Sequence, residues 1–278
     1  MQKRKGLLIG VLTLALISSG AAWADTAEQG RKVMHDNDGA LVSVHLVLES
    51  TATFEGETSK RETRVTTTAT VIDPSGLVVT SLAASNPADM FSDMMDEGED
   101  EGLSTRVVDV RIRLSDGTEI PGDVVLRDRD LDLAFIRPKK APEKPLTYVD
   151  MTQAATPQAL DELVVLTRLG QVGSRVLAAC VDRVQAVISK PRTLYALSSL
   201  LMSNVGSPAF TLDGKPVGMV VMRLSKSRDD SEGGFGISNR MMAAVLPCAA
   251  MLKAAEQART AQPENEKAAK PAEKPAAR

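Results

Sequence analysis

Short segments of β-branched and apolar residues recur along this chain from Ala40 to Ser238, divided by turn residues, and that even spacing is what most restricts its fold. Ala40–Glu49 and Thr63–Ile72 read as strands. Asp73-Pro74-Ser75-Gly76 reads as a turn, and Leu77–Leu82 resumes the strand. Val107–Leu114, Glu119–Leu126 and Leu131–Arg137 follow, with Ser115-Asp116-Gly117 as a second turn. Pro138–Pro145 is a linker by its proline and lysine content. Beyond it, Leu163–Arg168, Ser174–Ser189, Leu194–Met202, Pro216–Leu224 and Gly233–Ser238 repeat the strand pattern. Strands at this spacing predict an all-β barrel or sandwich, not βαβ units. Helix is expected in two places only. One is the connector near Pro157–Glu162; the other runs from Arg240 to about Gln257, entered through Ser238-Asn239 and divided at Pro247.

The first 24 residues carry the marks of an export signal. Gln2-Lys3-Arg4-Lys5 is a basic start, an apolar stretch runs from Gly6 to Ile17, and Ala22-Trp23-Ala24 is an A-x-A pattern that places cleavage after Ala24. The apolar stretch is shorter than the ~20 residues of a comfortable membrane span, so no stable span is expected after cleavage. The expected location is the periplasm or the cell exterior. That compartment is oxidising and allows Cys180 and Cys248 to form a disulfide; the alternative is two buried thiols.

Composition removes several function classes. The net charge is −3 and the isoelectric point about 5.6, which excludes electrostatic nucleic-acid binding. Two cysteines are too few for a multi-cysteine metal centre, and two histidines, His35 and His45, leave little material for imidazole catalysis. Residues 86–102 form an acidic, methionine-rich insertion with seven carboxylates and Met90, Met94 and Met95. Clustered carboxylates suit calcium and thioethers suit cuprous ion, but the spacing is not that of an EF-hand loop. It reads as a solvated insertion; neither a metal nor any other cofactor is expected. Residues 254–278, built of Ala, Glu, Lys and Pro, read as a disordered tail after a short helical continuation. The domain then spans 25–253.

Ala69-Thr70-Val71-Ile72-Asp73-Pro74-Ser75-Gly76-Leu77-Val78-Val79-Thr80-Ser81 resembles the opening of the trypsin-like serine proteases of the HtrA/Deg type. There a strand, a D-x-x-G turn and a second strand lead to the catalytic histidine. Asp128-Arg129-Asp130-Leu131-Asp132-Leu133-Ala134-Phe135-Ile136 is similar to the segment carrying the family's aspartate. Ser203-Asn204-Val205-Gly206-Ser207-Pro208 stands where the family has G-N-S-G-G-P, and Leu212-Asp213-Gly214-Lys215-Pro216-Val217-Gly218 continues into the matching hairpin. Gly234-Phe235-Gly236-Ile237 resembles the closing strand. The matches keep their order from about Leu41 to Leu252. The resemblance implies two six-stranded antiparallel β-barrels with a C-terminal helix, the first barrel over about 31–140 and the second over 150–253. The PDZ domain usual in HtrA proteins is not expected in this sequence.

Residue by residue, the reaction is lost. Asp132 fills the carboxylate place, but the histidine place holds Ala83 and the serine place Val205. Ser203 replaces the glycine whose amide helps to form the oxyanion hole. The resemblance therefore implies a pseudoprotease that holds a protein or extended peptide as an added β-strand. Met222, Arg223 and Leu224 are its candidate edge, and Arg223→Pro is expected to remove an edge donor. The alternative is a divergent endopeptidase with its nucleophile relocated to Ser203 or Ser207. A third reading is a scaffold whose acidic insertion and tail recruit a partner.

Overall fold

A computed structural model describes residues 18–54, 57–87, 103–199, 202–224 and 241–264. Twelve strands form two closed antiparallel barrels. The first contains β1 (Leu41–Phe54), β2 (Glu57–Val71), β3 (Val78–Ser81), β4 (Leu103–Arg113), β5 (Glu119–Asp128) and β6 (Leu133–Pro138), in the order β1-β2-β3-β6-β5-β4. The second contains β7 (Glu162–Arg168), β8 (Leu177–Ile188), β9 (Leu194–Leu197), β10 (Pro208–Thr211), β11 (Pro216–Leu224) and β12 (Met241–Pro247), in the order β10-β11-β12-β9-β8-β7. Helix α1 (Ser18–Asn37) precedes the first barrel, the single turn α2 (Leu82–Ser85) follows β3, and α3 (Cys248–Thr260) follows β12.

Strand alternation explains three cores. Val44, Leu46, Val71, Val78, Ile112 and Ile136 fill the first barrel, while Leu163, Val165, Tyr195, Val220 and Val245 help to fill the second. Their chain neighbours point the other way and meet between the barrels: Val79 and Phe135 from one, Met219, Val221 and Leu246 from the other. Strands at this contact are apolar on both faces, hence their unbroken hydrophobic runs. Helix α3 lies on the same contact through Met251, Ala254, Ala255 and Ala258. Arg137 closes its C-terminus by donating to the carbonyls of Ala258, Arg259 and Ala261 at 3.5, 2.7 and 2.9 Å.

Several expectations need correction. The segment read as helix from Arg240 begins as strand β12, and Pro247 is the N-cap of α3, not a break within a helix. The expected helix at Pro157–Glu162 is absent: a turn precedes β7, in which Leu160 is left-handed (φ 77°) and Asp161 accepts from the Gln158 amide. The helical continuation into 254–278 is longer than expected, because α3 reaches Thr260 with Ala254, Ala255 and Ala258 buried. Helix α1 was not foreseen; it runs across the expected cleavage point and buries Val33 against Val164, Leu166 and Phe210. Cys180 and Cys248 are both free thiols, held in separate clusters, so the disulfide is not formed. Burial pushes the Cys248 thiol up to about 12. The Gly233–Ser238 strand, most of the acidic insertion and residues 1–17 lie outside the described residues. No described helix is long and apolar enough to cross a membrane.

Candidate functional site

The connection from β5 to β6 places Asp132 at the junction of the two barrels. Its backbone is left-handed (φ 59°) and the residue is 7% exposed. Among the described residues no cation pairs with the carboxylate at contact distance; three donors converge on it instead. Ser81 donates its hydroxyl at 2.7 Å, Ala83 its amide at 2.8 Å and Met222 its amide at 2.9 Å. Burial raises the Asp132 pKa, opposed by the bonds from Ser81, Ala83 and Met222 and by the charge of Arg223. Ser81 also caps α2, accepting from the Ala84 amide, and the Leu82 amide donates to the Asp132 carbonyl. The aspartate thus fastens α2 of the first barrel to β11 of the second.

Beside it lies a small apolar cluster. Val205 and Met222 are each 4% exposed and pack with Ala83, Ala84 and Met241. Ala83 and Val205, which stand at the expected histidine and serine places, are therefore brought into one cluster with Met222 and Met241. Gly206 holds the Val205 turn close against the first barrel. Its φ is +89°, and a Cβ there would meet Thr80 Oγ1 at 2.7 Å and the Thr68 carbonyl at 3.1 Å. No side chain fits that approach without displacement.

Among the described residues neither alternative serine has a base. Ser207 is fully buried, with a hydroxyl that has no hydrogen-bond partner. Ser203 is exposed in the short turn Met202–Asn204, is not left-handed, and its carbonyl accepts from Thr167 Oγ1. His35 ends α1, and His45 lies in β1 opposite Thr66 and Arg111, so neither joins the Asp132 cluster. Burial, then the charge of Arg175, lowers the His45 pKa. Cys180 accepts from Asn204 Nδ2 at 3.3 Å, next to Val205, but burial raises its pKa and disfavours the thiolate.

The candidate edge divides by backbone parity. Val220 pairs toward the Gly206–Ser207 turn, donating to the Ser207 carbonyl and accepting from the Gly206 amide. Met222 points the same way, toward Asp132, and so does Leu224. Arg223 faces β12 instead, opposite Met242. Arg223→Pro would thus break barrel pairing, not a free edge, and the outward amide beyond Asp132 is that of Leu224. The Arg223 guanidinium reaches the Asp130 carbonyl at 2.6 Å, and Arg192 pairs with the Asp130 carboxylate.

The family model described as a trypsin-like peptidase domain matches residues 67–219, a span that contains Ala83, Asp132 and Val205. The chain belongs to that family. Two closed six-stranded barrels and a C-terminal helix are the trypsin-like fold. Among solved structures, this trypsin-like chain is similar to the MamO protease domain from Magnetospirillum magneticum in its apo form. The TM-score is 0.48 and the identity 14%, covering 79% of this chain and 97% of that one. No curated protein matches it. The sequence pointed to Met222 only as part of a candidate edge, and Met241 and Ser81 were not foreseen as members of this trypsin-like site. Ser81 had a local signal, since a serine before Leu-Ala-Ala is a good helix cap; the methionines had none.

Proposed function

We propose that this chain is an exported trypsin-like domain that binds a protein or extended peptide and does not hydrolyse it. The observation that carries the reading is the apolar contact of Ala83, Val205 and Met222 where the family needs imidazole and hydroxyl. A serine protease transfers the nucleophile's proton to a base held by the aspartate. Here the aspartate holds two backbone amides and the Ser81 hydroxyl, and neither His35 nor His45 stands beside it to receive a proton. Ser203 and Ser207 do not rebuild the pair, since one has no imidazole beside it and the other is sealed from solvent.

Binding needs no triad. The Met222 carbonyl and the Leu224 amide and carbonyl lie on the outward side of β11, the arrangement for adding a peptide as a strand. The basic start, apolar stretch and A-x-A pattern of the first 24 residues support a location in the periplasm or outside the cell. Leu224→Pro tests the reading, because it removes one outward donor and leaves the β12 pairing in place. Capture of extended peptides on an array is expected to weaken about tenfold, the loss of one intermolecular hydrogen bond in a water-poor groove. Unchanged capture would overturn it.

A further inference from the structure

The first barrel carries an edge that the peptide-binding reading does not use. Strand β2 pairs with β1 along its whole length, from Thr70 opposite Leu41 to Glu57 opposite Phe54, without a bulge. On its other side it pairs with β3 only at Thr70 and Val71. No described strand pairs with β2 beyond these, and every residue from Ser59 to Arg64 is exposed. Parity identifies the groups on this edge. The Thr68 carbonyl accepts from Thr80 Oγ1 and the Ile72 amide donates to the Leu77 carbonyl, so even-numbered residues point away from β1. The outward backbone positions are Lys60, Glu62, Arg64 and Thr66.

Long edges invite pairing, and charge decides with what. An antiparallel pair of two identical edges has a two-fold axis, so one residue faces its own copy. An axis at Lys60, Arg61, Glu62 or Arg64 sets a charge against itself. An axis at Thr63 does not. That register puts Glu62 opposite Arg64 twice, Lys60 opposite Thr66, and Thr63 opposite Thr63. Its hydrogen-bonded pairs all fall on the outward positions. Opposite charges and paired threonines are favourable cross-strand neighbours.

We propose that β2 is a self-complementary edge through which two copies of this chain join into one continuous sheet about Thr63. The occupant is a second copy because Glu62 and Arg64 stand symmetrically about Thr63 with opposite charges, so the edge complements its own reverse there and sets no like charges opposite one another between Lys60 and Thr66. The test is sedimentation equilibrium of the full chain as purified after export. The wild type is expected to be a dimer. Glu62→Arg and Arg64→Glu are each expected to weaken self-association at least ~10-fold, since each sets like charges opposite one another twice. Both sites are exposed, so the far-UV circular dichroism of the dissociated variants should match that of the wild type. An equimolar mixture of the two variants should then form a heterodimer, in which every Glu62–Arg64 contact is again between opposite charges. Thr63→Cys should yield a disulfide-linked dimer on oxidation, as facing residues of a non-hydrogen-bonded pair come within disulfide reach. A monomeric wild type, a dimer indifferent to both reversals, or variants that fail to associate on mixing would each overturn the proposal.

Discussion

The Asp132 carboxylate and the Met222 amide belong to different barrels and meet at 2.9 Å in a site from which water is largely excluded. In a working triad the aspartate orients an imidazole. Here the same position ties a helical turn to a strand across the domain interface, and the space beside it holds Val205 and Ala83. The carboxylate has a structural task that does not depend on catalysis.

Removing that carboxylate should therefore cost stability. Asp132→Ala leaves the Ser81 hydroxyl and the Ala83 and Met222 amides without an acceptor. Each buried orphan costs about 1–3 kcal/mol, so a loss of roughly 3–5 kcal/mol is expected in urea unfolding. Asp130→Ala, which removes a largely exposed partner of Arg192, should cost under ~1 kcal/mol. Equal losses at the two positions would contradict the fastening role.

Arg137 makes the second long-range tie. Its guanidinium serves three carbonyls at the end of α3, and Arg137→Ala should destabilise by about 1–3 kcal/mol, as expected for bonds to a charged donor. Denaturant unfolding checks it. Arg137→Lys should recover only part, because a single ammonium cannot reach all three carbonyls.

The strands nearest the site were largely legible from sequence because turn chemistry punctuates them. Asp73 accepts from the Ser75 amide, and the Gly76 amide donates to the Asp73 carbonyl, in the turn expected before β3. Strand β12 was not legible. Met-Met-Ala-Ala-Val-Leu is good helix material, and both faces are buried, so no alternation betrays the strand. The burial of the last turns of α3 was hidden for another reason. Ala254, Ala255 and Ala258 look like tail composition, yet small residues are what a helix needs to lie closely on two barrels. Of the site, Ala83, Asp132 and Val205 were found by position; Met222 and Met241 arrive from distant strands through tertiary packing alone.

Acidification should weaken the fold through His45. Its folded pKa lies below the ordinary 6.5, from burial first and the charge of Arg175 next, so the folded state favours the neutral ring. The unfolded chain then binds more protons, and stability rises with pH in the window from the folded pKa up to about 6.5. Urea midpoints across that window should climb for the wild type and flatten in His45→Gln. A steeper slope in the variant would have the sign wrong.

Rebuilding chemistry needs both lost groups. Val205→Ser alone should cost about 1–2 kcal/mol, because it shrinks a buried aliphatic contact and adds a hydroxyl, and it should hydrolyse nothing. Ala83→His alone supplies a base without a nucleophile. The double variant places both beside Asp132 and should show slow turnover of an activated ester. Either single variant matching the double would mean that the hydroxyl and imidazole do not act as a pair.

The most direct test of the central claim is casein cleavage by the purified wild-type chain, run beside an active HtrA-type protease. The account predicts no cleavage over a long incubation. Cleavage that survives repurification and disappears in Ser203→Ala or Ser207→Ala would contradict it and identify a relocated nucleophile.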